Sequence, residues 1–162
     1  MIKKYLEDKY SQSLDVMINT YIFSKIGANS LSYNPHKNEN HKIIVPSEID
    51  TYFRSGIIKG FVHDMGAAMQ GGIGGHAGLF GNSLDVAKLM QLFLQKGVYG
   101  NDIFFSSDMF DEFNKCHFCK DNVRRGIGFD KPEIDDRDKI TCDCVSNDSY
   151  GHSGRLSSQM KV

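Results

Sequence analysis

Three features of the sequence predict an α+β fold. Apolar residues recur at helical spacing in two stretches, Leu14 to Ile22 and Val86 to Leu94. A glycine-dense segment lies between them, and strand-like runs come only late, at Arg125 to Phe129 and from Tyr150 onward. The 162 residues are enough for one domain of ordinary size. Folding at that length removes about two-thirds of the unfolded chain's surface, enough for a core.

Leu14, Met17, Ile18, Tyr21 and Ile22 share one helix face, and Gly27 can end that helix. Residues 29–46 turn polar, with Asn29, Asn34, Asn38, Asn40 and two prolines, and read as a long loop. Five glycines fall between 71 and 78. Such density marks backbone at positive φ or in close contact with a neighbour. Asn82 or Ser83 can cap the next helix, and Asp85 suits its first turn. Val86, Leu89, Met90, Phe93 and Leu94 form its predicted buried face, and Gly97 stops it. A shorter helix opens after Ser106, carrying Met109, Phe110 and Phe113. Arg125 to Phe129 reads as a short strand, 133–139 as a charged, turn-rich segment, and Tyr150 as the start of a last strand.

The charge balance excludes several partners. Nineteen basic residues face twenty acidic ones, for a formal charge of -1. Such a chain has no concentrated positive field for nucleic acid and no polybasic membrane patch. Its longest apolar runs, such as Ile43 to Val45, fall far short of the ~20 residues a membrane helix needs. Lys3, Lys4, Glu7, Asp8 and Lys9 occupy the place where a secretion signal would be apolar.

Four constellations could carry chemistry. Gly72, Gly74 and Ala77 fit a Gly-x-Gly-x-x-Ala dinucleotide fingerprint, but His63, Asp64 and Gly66 precede it where an apolar strand is required. A tight loop pressed on a helix is the preferred reading. Cys116 and Cys119, with Cys142 and Cys144, form two close pairs that resemble a structural zinc site, with reduced structural cysteines or disulfides as alternatives. Ser158-Gln-Met-Lys161 is formally Ser-x-x-Lys, yet only Val162 follows, too little to build the helix that would place the lysine under the serine. Tyr99-Gly-Asn101 is formally Tyr-x-Asn and reads as a turn. His152-Ser153-Gly154 gains weight from its position at the head of the last candidate strand.

Taken together, Gln12-Ser-Leu-Asp15, Ile26-Gly27, Tyr33-Asn-Pro35, Val62-His-Asp64, Gly71-Gly-Ile-Gly-Gly-His-Ala-Gly-Leu-Phe80, Arg125-Gly-Ile-Gly-Phe129 and Tyr150-Gly-His-Ser-Gly154 resemble the serine β-lactamase-like family of class C type, which includes penicillin-binding-protein relatives and esterases. The whole is similar to the β-lactamase-like domain that some members carry fused to a β-N-acetylhexosaminidase-type glycosidase. The resemblance implies antiparallel strands flanked by helices, with a helical subdomain inserted. It implies acyl transfer to a serine followed by hydrolysis of an amide, β-lactam or ester, with no cofactor and no metal. His152 and Ser153 would be the catalytic contribution of the Lys/His-x-Gly strand. Gly154 and Arg155 would bind substrate, the Arg155 N–H serving as one oxyanion donor. The substrate would be a small molecule or peptidoglycan-like, and the site of action the periplasm or cell envelope.

In that family the Ser-x-x-Lys and Tyr-x-Asn motifs lie upstream of the Leu14 helix. Residues 1–162 therefore read as a partial domain: its helical subdomain plus the start of the Lys/His-x-Gly strand, without turnover of its own. The alternative from another class is a non-catalytic interaction module stabilised by zinc at Cys116, Cys119, Cys142 and Cys144.

Overall fold

The computed structural model describes residues 1–37, 44–119, 123–132, 145–146 and 148–152. It is α+β, as predicted, and divides into two compact units, Met1–Leu92 and Phe93–Val162.

In the first unit, α1 (Ile2–Tyr10) gathers Ile2, Tyr5, Leu6 and Tyr10 on one face but buries no residue fully. It is held instead by charge at helical spacing, Lys4 to Asp8 at 2.8 Å, and by Lys3 Nζ, which donates to the Ile73 carbonyl at 2.6 Å. Glu7 accepts the first amide of α2 (Leu14–Ile18) at 2.9 Å. That helix continues as a π-helical turn, Asn19–Phe23. The wider turn rotates the later side chains, so Phe23 and Ile26 enter the core while Tyr21, expected on the buried face, is 53% exposed. The chain leaves the helix through Gly27 at φ 67°.

The expected loop at 29–46 holds more structure than its polar composition implies. β1 (Ser32–Tyr33) pairs antiparallel with β4 (Leu79–Phe80), and a 3-10 turn follows at Pro35–Lys37. β2 (Pro46–Asp50) and β3 (Gly56–Lys59) form an antiparallel hairpin. Its turn is organised by Asp50, whose carboxylate accepts from the backbone N–H groups of Tyr52, Phe53 and Arg54 and from Arg54 Nε at 2.7 Å. α3 (Met65–Met69) is capped by Asp64, which accepts from the Ala67 N–H.

α4 (Ser83–Leu94) begins where predicted, with Asn82 Oδ1 accepting from the Asp85 N–H at 2.8 Å, and Gly97 stops it at φ 96°. Its burial differs from the predicted face. Leu92 is fully buried, whereas Leu94 is 64% exposed and Val86 44%. Asp85 is buried because Lys88 and Ser30 satisfy its carboxylate. The boundary between the units falls in the last turn of α4.

In the second unit, β5 (Val98–Tyr99) and β6 (Asp102–Ile103) make a two-residue hairpin, so Tyr99-Gly-Asn101 is a turn between short strands. α5 (Ser107–Asn114) opens after Ser106 as predicted, the serine hydroxyl accepting from the Met109 N–H. The predicted strand at 125–129 is not a strand. Gly128 stands at φ 92° and Gly126 N–H donates to the Phe129 carbonyl, so the segment folds into a turn, leaving only isolated antiparallel bridges from Asp130 to Arg125 and to Gly151. Among the described residues no helix is long and apolar enough to cross a membrane.

Candidate functional site

The ordered sequence pieces converge separately within each unit. In the first, Tyr33 and Asn34 meet the glycine loop. Tyr33 Oη donates to the Gly74 carbonyl at 3.2 Å, and Asn34 Nδ2 donates to that of Gly71 at 2.8 Å. Burial raises the Tyr33 phenol above its ordinary range, with Asp15 adding a smaller push, so the hydroxyl stays protonated and available to donate.

Gly72 explains the glycine density. It sits at φ 82°, and a Cβ there would overlap Asn34 Oδ1 and lie 2.6 Å from Phe61 Cε2. The amides of Gly72 and Gly74 donate to the Ala67 and Ala77 carbonyls, so both are consumed within the loop rather than offered to a phosphate. β4 also intervenes before α4. The tight-loop reading stands.

Two histidine–carboxylate pairs flank α3. His76 Nε2 lies 2.9 Å from Asp64 Oδ1, and His63 Nδ1 lies 2.8 Å from Glu48 Oε2. Asp64 is held below the usual carboxylate range, first by the Ala67 N–H and then by His76. A carboxylate facing one ring nitrogen fixes the tautomer and orientation of an imidazole. Glu48 also faces Arg54 at 3.3 Å, and Arg54 donates to the carbonyls of Val62 and His63, tying the β2–β3 hairpin to the entry of α3. The sequence showed these residues but not their pairing: no local spacing joins residue 64 to 76 or 48 to 63.

In the second unit Tyr150 sits in an aromatic cluster. Phe93, Phe110, Phe129 and Tyr150 stack edge-on or tilted, the Tyr150 ring 5.2 Å from Phe110 and 5.1 Å from Phe129. The Tyr150 hydroxyl is buried with no hydrogen-bond partner among the described residues, and burial pushes its pKa up. Next to this anchor, Gly151 exchanges both backbone hydrogen bonds with Asp130, at 2.7 and 3.1 Å. Asp130 in turn pairs with Arg125 Nε at 2.6 Å. Lys131 Nζ donates to Asn114 Oδ1 at 3.1 Å and to the Asp148 carbonyl, and burial lowers its pKa.

His152 follows directly and is exposed. The anchored tyrosine and the doubly bonded glycine thus lead directly into His152, an exposed residue. Ser153, Gly154 and Arg155 lie outside the described residues, as do Ser158 to Lys161.

The zinc alternative is not supported. Cys116 and Cys119 are joined in a disulfide, which leaves neither sulfur as a thiolate ligand. Cys142 and Cys144 lie outside the described residues. No group of three or more metal-ligating side chains occurs among the described residues.

Comparison with known proteins gives a consistent set of relatives. The chain is 30% identical over 161 residues to a protein of Escherichia coli O157:H7 named "Putative D-alanyl-D-alanine carboxypeptidase". Proteins of the same name from Escherichia coli K12 and Salmonella agona are 29% identical over 161 and 164 residues. Each match covers 92% of this chain, which spans 37% of the relatives' length. No family model and no solved structure matches the chain.

Proposed function

We propose that residues 1–162 form part of one β-lactamase-like domain of a serine hydrolase acting on the D-alanyl-D-alanine end of peptidoglycan peptides, or on a related amide, β-lactam or ester. The observation that carries this reading is the likeness to the carboxypeptidase-named relatives along 92% of the chain. The order and identity of the glycine-His-Ala-Gly-Leu-Phe block and the Tyr-Gly-His-Ser-Gly block favour the class C type, and within it the branch carried beside β-N-acetylhexosaminidase-type glycosidases.

The reaction of such a domain splits one difficult amide hydrolysis into two easier steps. A serine attacks the carbonyl, the leaving amine departs, and water hydrolyses the acyl-serine, with a lysine and a tyrosine moving the protons. The role assigned to this chain is the pocket wall. His152 orients the substrate carboxylate or tunes the tyrosine, Ser153 hydrogen-bonds the substrate, Gly154 lets it approach, and the Arg155 N–H faces the developing oxyanion. An oxyanion donor in acyl transfer is worth about 3 kcal/mol, so the strand's placement matters. The paired backbone of Gly151 and Asp130 and the aromatic seat of Tyr150 support that role, because they restrain the residue immediately before His152.

In this assignment the attacking serine and its lysine are not among residues 1–162. The purified chain should therefore take no covalent label from a fluorescent penicillin and release no D-alanine from N-acetyl-lysyl-D-alanyl-D-alanine. Label mapped by mass spectrometry to Ser158, or measurable D-alanine release, overturns the division of roles.

A further inference from the structure

We propose that Cys116–Cys119 is a reversible redox site whose reduction by a dithiol loosens the backbone bridge holding Gly151 and His152. The disulfide closes a ring between residues only three apart, immediately after α5. A ring that short removes far less unfolded-state entropy than one closing a long loop, so a structural staple is a poor account of it. Both cysteines are partly exposed and within reach of a reductant. Lys115 precedes Cys116, and a positive neighbour favours the thiolate through which exchange proceeds.

What the turn holds gives the site its consequence. Inside the ring, the Phe118 carbonyl accepts the Val123 N–H at 3.2 Å, and Cys116 Sγ lies 3.6 Å from the Val123 carbonyl oxygen. His117 Nε2 donates back to the Glu112 carbonyl of α5 at 3.0 Å. From Val123 further backbone contacts lead toward Gly151. Arg125 N–H donates to Val123, Gly126 N–H to Phe129, and Asp130 exchanges two bonds with Gly151, the neighbour of His152. The covalent ring thus sits at one end of a run of turn bonds and isolated bridges that reaches Gly151, the neighbour of His152. Opening it replaces a covalent restraint with at most a weak S–H donor toward Val123.

The exchange balances. A thiolate of the dithiol bonds to one sulfur of the pair, the Cys116–Cys119 bond breaks, and the other sulfur leaves as thiolate. The second thiol of the reductant then closes on the mixed disulfide. Two electrons pass to the protein, two protons complete both cysteine thiols, and the reductant departs as its own disulfide.

The test reads structure, not activity, and so stands apart from the catalytic reading. It uses the full chain carrying Cys142→Ser and Cys144→Ser, which leaves Cys116 and Cys119 as its only sulfhydryl pair. Under reduced dithiothreitol the folded chain should yield two alkylated thiols. Amide exchange at Asp130 and Gly151 should rise about tenfold, while Phe110 in α5 and Ala28 in the first unit hold their rates. Oxidised dithiothreitol should reverse both effects, and Cys116→Ser with Cys119→Ser should reproduce the reduced pattern without reductant. Alkylation only after denaturation, unchanged exchange at Asp130 and Gly151 on reduction, or an equal rise at Phe110 and Ala28 would each overturn the proposal.

Discussion

Asp85 keeps its charge while buried. Lys88 Nζ lies 2.7 Å from Oδ1 and the Ser30 N–H donates to Oδ2 at 2.8 Å, and these partners lower its pKa to about 2. An unfolded aspartate titrates near 3.9, so the stabilisation is complete above about pH 4 and is lost as pH falls toward 2. Asp50 and Asp64 are depressed too, by Arg54 and by the Ala67 N–H respectively, and act in the same direction. Thermal melts at pH 7, 4 and 3 should show Tm falling across the lower interval. Asp85→Asn should lower Tm at pH 7 and flatten that fall without abolishing it; an unchanged pH profile would mean the pair contributes nothing. Sequence supplied the aspartate and its place in the first helical turn, but burial was not legible there. It depends on Ser30, 55 positions away.

The elements that could be read in advance are those whose signals are local. α4 and α5 each carry a capping side chain and a recurring apolar pattern, and both begin where predicted. α1 lacks a capping side chain, and the β1–β4 pair and the β2–β3 hairpin lack both signals. α1 is stabilised by charge and by Lys3 reaching the glycine loop, and β1 has no partner until residue 79 is brought beside it. Glycine at 126 and 128 turned an apparent strand into a turn. The seat under Gly151 is equally non-local, since Phe93, Phe110 and Phe129 come from three segments. Tyr150 tests it. Its hydroxyl is buried without a partner among the described residues, so Tyr150→Phe should leave stability unchanged or raise it by up to about 1 kcal/mol. Tyr150→Ala removes the ring and should cost about 2–4 kcal/mol. Urea unfolding measures both, and equal losses in the two variants would show that the hydroxyl, not the ring, carries the anchor.

Across the whole molecule, residues scattered along the sequence gather into two local assemblies. One joins the glycine loop to Tyr33, Asn34, Asp64 and His76; the other joins α5, Asp130, Tyr150 and Gly151 beneath His152. The separate pieces were legible as an ordered set of motifs, while their contacts were not, because contact order is written in no single segment. The relatives share this stretch as 37% of a longer protein. The function proposed for this chain has Gly151 and His152 border the site that takes a D-alanyl-D-alanine terminus. Titration of the 15N-labelled chain with N-acetyl-lysyl-D-alanyl-D-alanine, followed by NMR, tests it most directly. The amides of Gly151 and His152 should shift with the D,D peptide and stay in place with its L,L isomer; no shift, or the same shift with both isomers, would contradict the claim.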